Sequence, residues 1–423
     1  MTKVLFVNMP SHGHVNPTFP LVSAFVEAGH TVDYLLTEEF RKKVEYSGAT
    51  LIPYKSSYSV DINHKSSTIK MIREVIQIIY NNTKAMASKY DVIIAGGINP
   101  LITKIEQEIS IPVVYCSATF LYNEQSLKYF FEKTWDAPAI IRFVATHPKW
   151  RKWLARQIIS RIFGVPIDDL LALFRPQSST LNIVFTSRCF QPEEATFDER
   201  CLFIGPTPTV TPNDDTFPIK QLETCKKPII YVTLGTVFNK WTDFFKNVIQ
   251  AFRDSEYLVV MSTGNKETVE LLGHIPDNFI VRDFVPQAEV LKYADLFIAH
   301  GGMGSVSDGI SLGVPMLLVP QGADQFFNAY RLQELGAGKV MTKKEATAEN
   351  LKREAILILT IKTYQSEAKR IQESFIAAGG PSHAVEEVER LLAKIGRNRE
   401  ADKKYYQCHC RRFKPSGNVG KIR

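Results

Sequence analysis

Two stretches of the chain carry residue types in an order that can do chemistry. The first is Met9-Pro10-Ser11-His12-Gly13-His14-Val15-Asn16-Pro17, which follows the apolar run Val4-Leu5-Phe6-Val7. A strand ending in such a loop delivers two imidazoles to the start of a helix. An imidazole titrates near about pH 6.5, and the positive end of a helix disfavours its protonated form, so a histidine held there is neutral and able to accept a proton at pH 7. From position alone the pair also fits metal ligation or a plain helix cap. The second stretch is His300-Gly301-Gly302-Met303-Gly304-Ser305, placed between the apolar run Leu296-Phe297-Ile298-Ala299 and the helical Val306-Ser307-Asp308-Gly309-Ile310. Glycines let backbone N–H groups close on a phosphate, and the helix dipole that follows favours its charge. A nucleotide diphosphate is the natural guest of this loop. A tight strand-to-helix turn would use the same glycines but needs neither His300 nor Ser305. Thr233-Leu234-Gly235-Thr236 offers a second loop of this kind. The spacing is not Gly-x-Gly-x-x-Gly, and no Gly-x-x-x-x-Gly-Lys-Ser/Thr run occurs, which argues against a dehydrogenase and against a P-loop NTPase.

Such loops need strands to carry them. Apolar runs predict strands over 3–8, 31–36, 91–95, 112–116 and 181–186, and amphipathic stretches predict helices near 16–28, 38–47, 68–89, 99–109 and 120–175. Residues 205–227 are turn formers with little apolar periodicity. Beyond them the alternation restarts, with strands over 228–233, 257–262, 278–281, 296–300 and 315–319. Helices are predicted there over 240–253, 287–293, 303–312, 324–336, 347–360, 363–378 and 382–395. The fold class is therefore α/β, with two Rossmann-like doubly wound parallel-sheet domains facing across a cleft. The chain divides into a first domain over 1–206, a linker over 207–227, a second domain over 228–396 and a basic tail over 397–423 that reads as disordered.

With 423 residues the chain has room for two or three domains at roughly 150 residues each. Hydrophobic residues at 45% and charged residues at 22% are ordinary for a soluble globular protein. The net charge of +7 resides in the tail, where nine basic residues face only Glu400 and Asp402. A neutral body with a basic end argues against a nucleic-acid-binding domain. The six cysteines lack the spacing of a disulfide framework, and Cys408-His409-Cys410 has no second ligand pair near it for a structural metal. No apolar run reaches the roughly 18 residues of a membrane span, and the N-terminus enters a strand without a signal-peptide start; a cytoplasmic location is expected.

Several ordered motifs together carry a family resemblance. Phe284-Val285-Pro286-Gln287, then His300 to Ser305, then Asp324-Gln325 with Asn328 resemble the nucleotide-sugar signature of UDP-dependent glycosyltransferases. His12-Gly13-His14-Val15-Asn16-Pro17 is similar to the opening of the bacterial macrolide-type branch, and the likeness runs in order from about residue 3 to 395. The resemblance implies the GT-B fold, with the acceptor held mainly by the first domain and a UDP-sugar mainly by the second. It implies His14 as general base, while His12 matches no catalytic position. Phe284 stands where the family usually stacks tryptophan on uracil, and backbone around Val285 reads the base edge. Gln287 belongs to the same signature. Thr236, His300, Gly302, Gly304 and Ser305 match the diphosphate cradle, Asp308 takes the place of the ribose-binding glutamate, and Asp324 and Gln325 match the pair that bonds sugar hydroxyls. A helix cap is the competing reading of Asp324. No metal and no separate cofactor is implied, the UDP-sugar being a co-substrate. The expected partners are this donor and a small hydrophobic acceptor, with no nucleic acid, and the chain is expected as a monomer or weak dimer.

One position departs from the pattern. The family's base histidine is oriented by an aspartate whose place in Asp91-Val92-Ile93-Ile94-Ala95-Gly96-Gly97-Ile98-Asn99 is taken by Gly96. Asn99 is the nearest polar substitute. On the acceptor side, Phe120, Tyr122 and Phe130 are candidates to line an apolar pocket, although aromatics at such positions are more often core. Phe143, Trp150 and Trp153 lie in a segment interleaved with Arg142, Lys149, Arg151, Lys152, Arg156 and Arg161, which fits a solvated helix face more readily than a helix at a lipid surface. The expected activity is inverting transfer of a hexose, glucose foremost, to a hydroxyl of a flavonoid- or macrolide-like acceptor. The alternative is a nucleotide-sugar-binding protein with little turnover.

Overall fold

The computed structural model describes residues 1–55, 65–97, 102–134, 138–207, 216–235 and 241–412. Two parallel sheets form on the apolar runs. The first has seven strands in the order β3-β2-β1-β4-β5-β6-β7, namely β1 (Lys3–Val7), β2 (Thr31–Thr37), β3 (Thr50–Tyr54), β4 (Val92–Gly96), β5 (Val113–Ser117), β6 (Leu181–Val184) and β7 (Cys201–Phe203). The second has six in the order β10-β9-β8-β11-β12-β13, from β8 (Ile229–Thr233), β9 (Leu258–Ser262), β10 (Phe279–Arg282), β11 (Leu296–Ala299), β12 (Met316–Leu318) and β13 (Gly338–Val340). Strands β4, β5, β8, β9 and β11 are buried at every position. Burial on both faces is the reason these runs are continuously apolar rather than alternating.

In each sheet the strand order reverses beside the first strand of the domain. Val7 of β1 lies opposite Leu35 of β2 and Ala95 of β4, and Thr233 of β8 lies opposite Ser262 of β9 and Ala299 of β11. The crevice at such a reversal, outside the carboxyl ends of the strands, is where doubly wound sheets bind ligands. His14 follows β1, Gly96 ends β4 with Gly97 after it, and the residues after β8 and β11 include Gly235 and His300 to Ser305. The chemistry-bearing stretches therefore occupy both reversal points.

Three local features differ from the sequence expectation. The histidine stretch is helical already: a turn over His12–Val15 continues through a 3-10 turn over Asn16–Thr18 into the helix Phe19–Glu27. Pro17 and Pro20 fall in first turns, where a missing N–H leaves no hydrogen bond unmade. The long helical region over 120–175 is broken into Glu124–Tyr129, Ala139–Thr146, Pro148–Leu154 and Ser160–Phe163, with wider π turns at Phe130–Thr134 and Ala155–Ile159. The last helix, Gly380–Arg412, returns to the first domain, where Ala384, Val385 and Val388 join the core of Val4, Phe6 and Val22. His30 Nε2 lies 3.1 Å from Glu389 Oε1 on that helix. The packing boundary thus falls near Gly380, whose N–H donates to Ile204 O at 2.9 Å, rather than at 396. Between the domains, buried Arg331 donates to the carbonyls of Phe190 and Cys189 at 3.0 and 2.9 Å, and Phe327 stacks edge-on against Tyr122 and Phe130. Among the described residues no helix is long and apolar enough to cross a membrane.

Candidate active site

On the first domain, His14 borders a cavity of about 10 Å³ lined also by Gly97, Ser117, Thr119, Phe120 and Phe174. That is room for about one water molecule. Burial pulls the His14 imidazole below its ordinary pKa, and the Asp324 carboxylate of the second domain opposes the shift. The ring is therefore a neutral proton acceptor at pH 7. His12 is exposed instead, its ring 5.0 Å from that of Phe40, and takes no part in this cavity.

Position 96 has no space for a side chain. A Cβ there would lie 2.7 Å from Cys116 Sγ and 2.9 Å from Asn8 Nδ2. Burial pushes the Cys116 thiol up to about 12, so the group that fills this space is neutral. Asn8 is buried, accepts from Met9 N at 2.9 Å through Oδ1 and donates from Nδ2 to the backbone carbonyl of His14, also at 2.9 Å. It fixes the backbone of the histidine turn where the family pattern has a carboxylate acting on the ring. The one signal for Asn8 in the sequence is a polar residue closing an apolar strand. Asn99 lies outside the described residues.

On the second domain, His300 stands in a slot made by glycines. A Cβ at Gly235 would lie 2.6 Å from its Cε1, and one at Gly302 would lie 2.5 Å from its Nε2. Gly235 also has φ +74°, a left-handed conformation that glycine adopts without strain. Burial lowers the His300 pKa to about 4, and its Nδ1 is buried without a hydrogen-bond partner. Keeping the proton on Nε2 avoids burying an unpaired N–H, which assigns Nε2 as the donor. The helix Met303–Ser311 begins with Gly302 as its N-cap and no side-chain cap, and the exposed Gly304 has open space around it. Its first N–H groups and positive end are therefore left for an anion. Ser305 is partly exposed on the same turn, and Thr236 lies outside the described residues.

Phe284 is 56% exposed although its neighbour Val285 is core. An aromatic ring held out of the core suits stacking against a planar base. Gln287 Nε2 donates to Asp308 Oδ2 at 2.6 Å, and Tyr231 OH lies 3.4 Å from Gln287 Oε1, so this pair is one linked polar unit. Asp324 does not cap its helix through its side chain. It accepts from Asn328 Nδ2 at 3.1 Å, and the same Nδ2 donates to Gly301 O at 3.1 Å, tying the loop after β11 to the carboxylate. Ala323 just before it has φ +54°, an uncommon conformation for a residue with a Cβ and of the sort that collects at functional sites. Gln325 is buried, with Oε1 taken by the N–H groups of Gln321 and Gly322 at 2.8 and 3.2 Å. Its oxygen therefore braces the loop. Of the acceptor candidates, Phe120 borders the His14 cavity, whereas Tyr122 and Phe130 face Phe327 in the interdomain core, where packing of their apolar rings explains their type.

The chain and its fold are similar to known proteins. Residues 248–391 match the family described as erythromycin biosynthesis protein CIII-like, C-terminal domain. An uncharacterized UDP-glucosyltransferase of Bacillus subtilis strain 168, YdhE, is 34% identical over 406 residues, covering 93% of this chain and 99% of that protein. The oleandomycin glycosyltransferase of Streptomyces antibioticus is 27% identical over 401 residues, covering 92% of this chain and 90% of that one. The crystal structure of the calicheamicin glycosyltransferase CalG4 superposes with a TM-score of 0.72 at 26% identity, over 93% of this chain and 99% of its own.

Proposed function

The chain belongs to the macrolide-type branch of the UDP-dependent glycosyltransferases, with the GT-B fold, and from that premise we propose that it transfers a hexose, glucose foremost, from a UDP-sugar to a hydroxyl of a small hydrophobic acceptor with inversion. The observation that supports the proposal is His14 after the first strand of one sheet, close enough to Asp324 of the second domain to feel its charge, together with a glycine-slotted His300 and an uncapped helix N-terminus at the reversal point of the other sheet. His14 takes the acceptor hydroxyl proton as that oxygen bonds to the anomeric carbon. The bond from this carbon to the UDP oxygen breaks, and its electron pair leaves with UDP. The charge that develops on the diphosphate meets His300 Nε2–H and the first N–H groups of Met303–Ser311, placed before the reaction begins. The proposal gives this task to N–H donors rather than to a metal ion. Phe284 stacks the base, Asp308 with Gln287 takes the ribose hydroxyls, and Asp324 takes sugar hydroxyls beside the base.

The test is UDP release from UDP-glucose with a panel of phenolic and macrolide acceptors, in wild type and His14→Ala. Acceptor-dependent release that disappears in the variant is expected, and it persists in the presence of EDTA. One observation favours a second reading. The space at Gly96 is filled by Asn8 and a neutral thiol, so among the described residues of the first domain no carboxylate stands there to orient the His14 ring. UDP binding without release for any acceptor would favour a nucleotide-sugar-binding protein instead.

A further inference from the structure

The surface least suited to bulk water lies on the first domain, on the short helices that replace the expected long one. Ala139–Thr146 buries no residue at all. Across it, the helix Pro148–Leu154 and the turn Ala155–Ile159, six large apolar side chains are exposed: Ile140 at 69%, Ile141 at 44%, Phe143 at 40%, Trp150 at 51%, Trp153 at 53% and Ile158 at 43%. Their aromatic members form one row. Phe143 stacks on His147 at 4.1 Å and lies 6.1 Å from Trp150, which lies 6.1 Å from Trp153. Ile140 sits one turn before Phe143 on the same side of its helix. Solitary exposed apolar residues are ordinary, but a contiguous group marks a contact surface.

The charges carried by these helices themselves are of one sign, and the carboxylates beside them, Glu124, Asp168 and Asp169, are engaged by Arg151 and Arg156. Residues 139–163 contain Arg142, Lys149, Arg151, Lys152, Arg156 and Arg161 and no carboxylate. Arg151 is turned inward, 1% exposed, where its guanidinium pairs with Asp169 at 2.5 Å and also with Glu124. That buried pairing fixes the rotation of the helix, so Trp150, Lys152 and Trp153 are held outward. Arg156 pairs with the exposed Asp168 at 3.2 Å, and Lys149, Lys152 and Arg161 are exposed. The body of the chain outside the tail is electrically balanced, so this is a local concentration of positive charge. Indole rings settle at the headgroup level of a bilayer, lysine stems extend along apolar surface to reach phosphates, and each cation near an anionic membrane contributes about 1 kcal/mol. Charge and ring type select the same occupant.

We propose that the face formed by Phe143, Trp150 and Trp153 with Lys149, Lys152 and Arg161 docks the protein on an anionic phospholipid bilayer. The contact is peripheral, with the rings entering the headgroup boundary and the cations meeting lipid phosphates. The test uses the full chain and vesicles of phosphatidylcholine alone or with about 30% phosphatidylglycerol, read by flotation and by quenching of tryptophan emission with brominated lipid. Binding to the anionic vesicles, at least about tenfold weaker to the neutral ones, is expected. Trp150→Ser with Trp153→Ser should weaken binding at least about tenfold and remove the quenching, while the circular dichroism and melting temperature stay those of wild type. Lys149→Glu with Lys152→Glu should weaken only the anionic-vesicle binding. Equal binding to both vesicle types overturns the proposal. So does binding that survives the tryptophan substitutions and vanishes on deleting 397–423, which would make the basic tail the anchor. Association of the chain with itself in the absence of vesicles, abolished by the tryptophan substitutions, would assign the face to a second copy and overturn it equally.

Discussion

The two sides of the cleft are built on different principles. On the second domain the groups proposed for the nucleotide are backbone N–H donors, glycines and side chains within one or two loops, and His300 is held between Gly235 and Gly302. On the base side, His14 depends on groups brought from other strands: Asn8 at the end of β1, Gly96 at the end of β4 and Cys116 in β5. Local sites keep their motif whenever their loop is kept. A site assembled across a sheet depends on every strand that lends it a group, and here the space at Gly96 is filled by Asn8 and Cys116. The lesson is that donor recognition and base orientation are separable in this fold.

The sharpest way to break that separation is His14→Ala. Loss of a general base lowers turnover by about 10² to 10⁴, and UDP affinity should stay within about twofold. A matching loss of UDP affinity would mean that His14 holds the cleft together instead. Next in size is Gly96→Asp. Returning the carboxylate alone drives its Cβ into Cys116 Sγ and Asn8 Nδ2, so the variant should be destabilised by about 1–3 kcal/mol with no gain in rate. Adding Cys116→Ala removes the nearer of the two contacts and keeps Asn8 on the His14 carbonyl, so thermal melts should recover in part while turnover rises above wild type. A single Gly96→Asp variant that melts like wild type and turns over faster would show that the space is not filled as described.

How much was legible in advance follows the same division. The glycine loops at the strand ends were legible because their residues are contiguous in the chain, as in His300 to Ser305. The filling of the Gly96 space was not, since Asn8 and Cys116 meet it only after three strands pair. The central strands were legible as long apolar runs, but β3, β7 and β13 were missed, and each is a sheet edge. Edge strands are half-solvated and short: β3 carries Pro53, and β7 and β13 have three residues each. The long helical region over 120–175 was misread because its pieces share one amphipathic character while Pro138 and Pro148 divide them. The return of the helix Gly380–Arg412 to the first domain has no local signal, because an apolar stripe does not say which core it joins.

A smaller effect probes the nucleotide side. Gly302→Ala places a methyl 2.5 Å from His300 Nε2, and the backbone there tolerates alanine, so the displaced ring is the consequence. UDP affinity, measured by calorimetry, should fall about tenfold, or about 1.4 kcal/mol, with the melting temperature little changed. If affinity is unchanged, His300 does not touch the diphosphate.

The smallest expected effect tests the electrostatic link from Asp324 to His14. His14 has a pKa below about 6.5 because burial disfavours its charged form, and Asp324 partly restores it. The base works when neutral, so kcat/KM should be level at pH 7 and above and fall as pH drops through the lowered pKa. Stability has the same sign: a histidine whose pKa is depressed by folding contributes fully above the unfolded value of about 6.5, and its contribution is lost as pH falls towards the folded value. For His300 that window extends down to about 4. Asp324→Asn removes the opposing charge, so the acid limb of kcat/KM should move to lower pH by less than about one unit. The same substitution raises KM for the donor if Asp324 binds sugar hydroxyls, but a hydroxyl contact alone leaves the limb where it was. An unmoved limb with a raised KM would therefore confine Asp324 to the nucleotide side, whereas a moved limb makes it the carboxylate that tunes a base in the opposite domain.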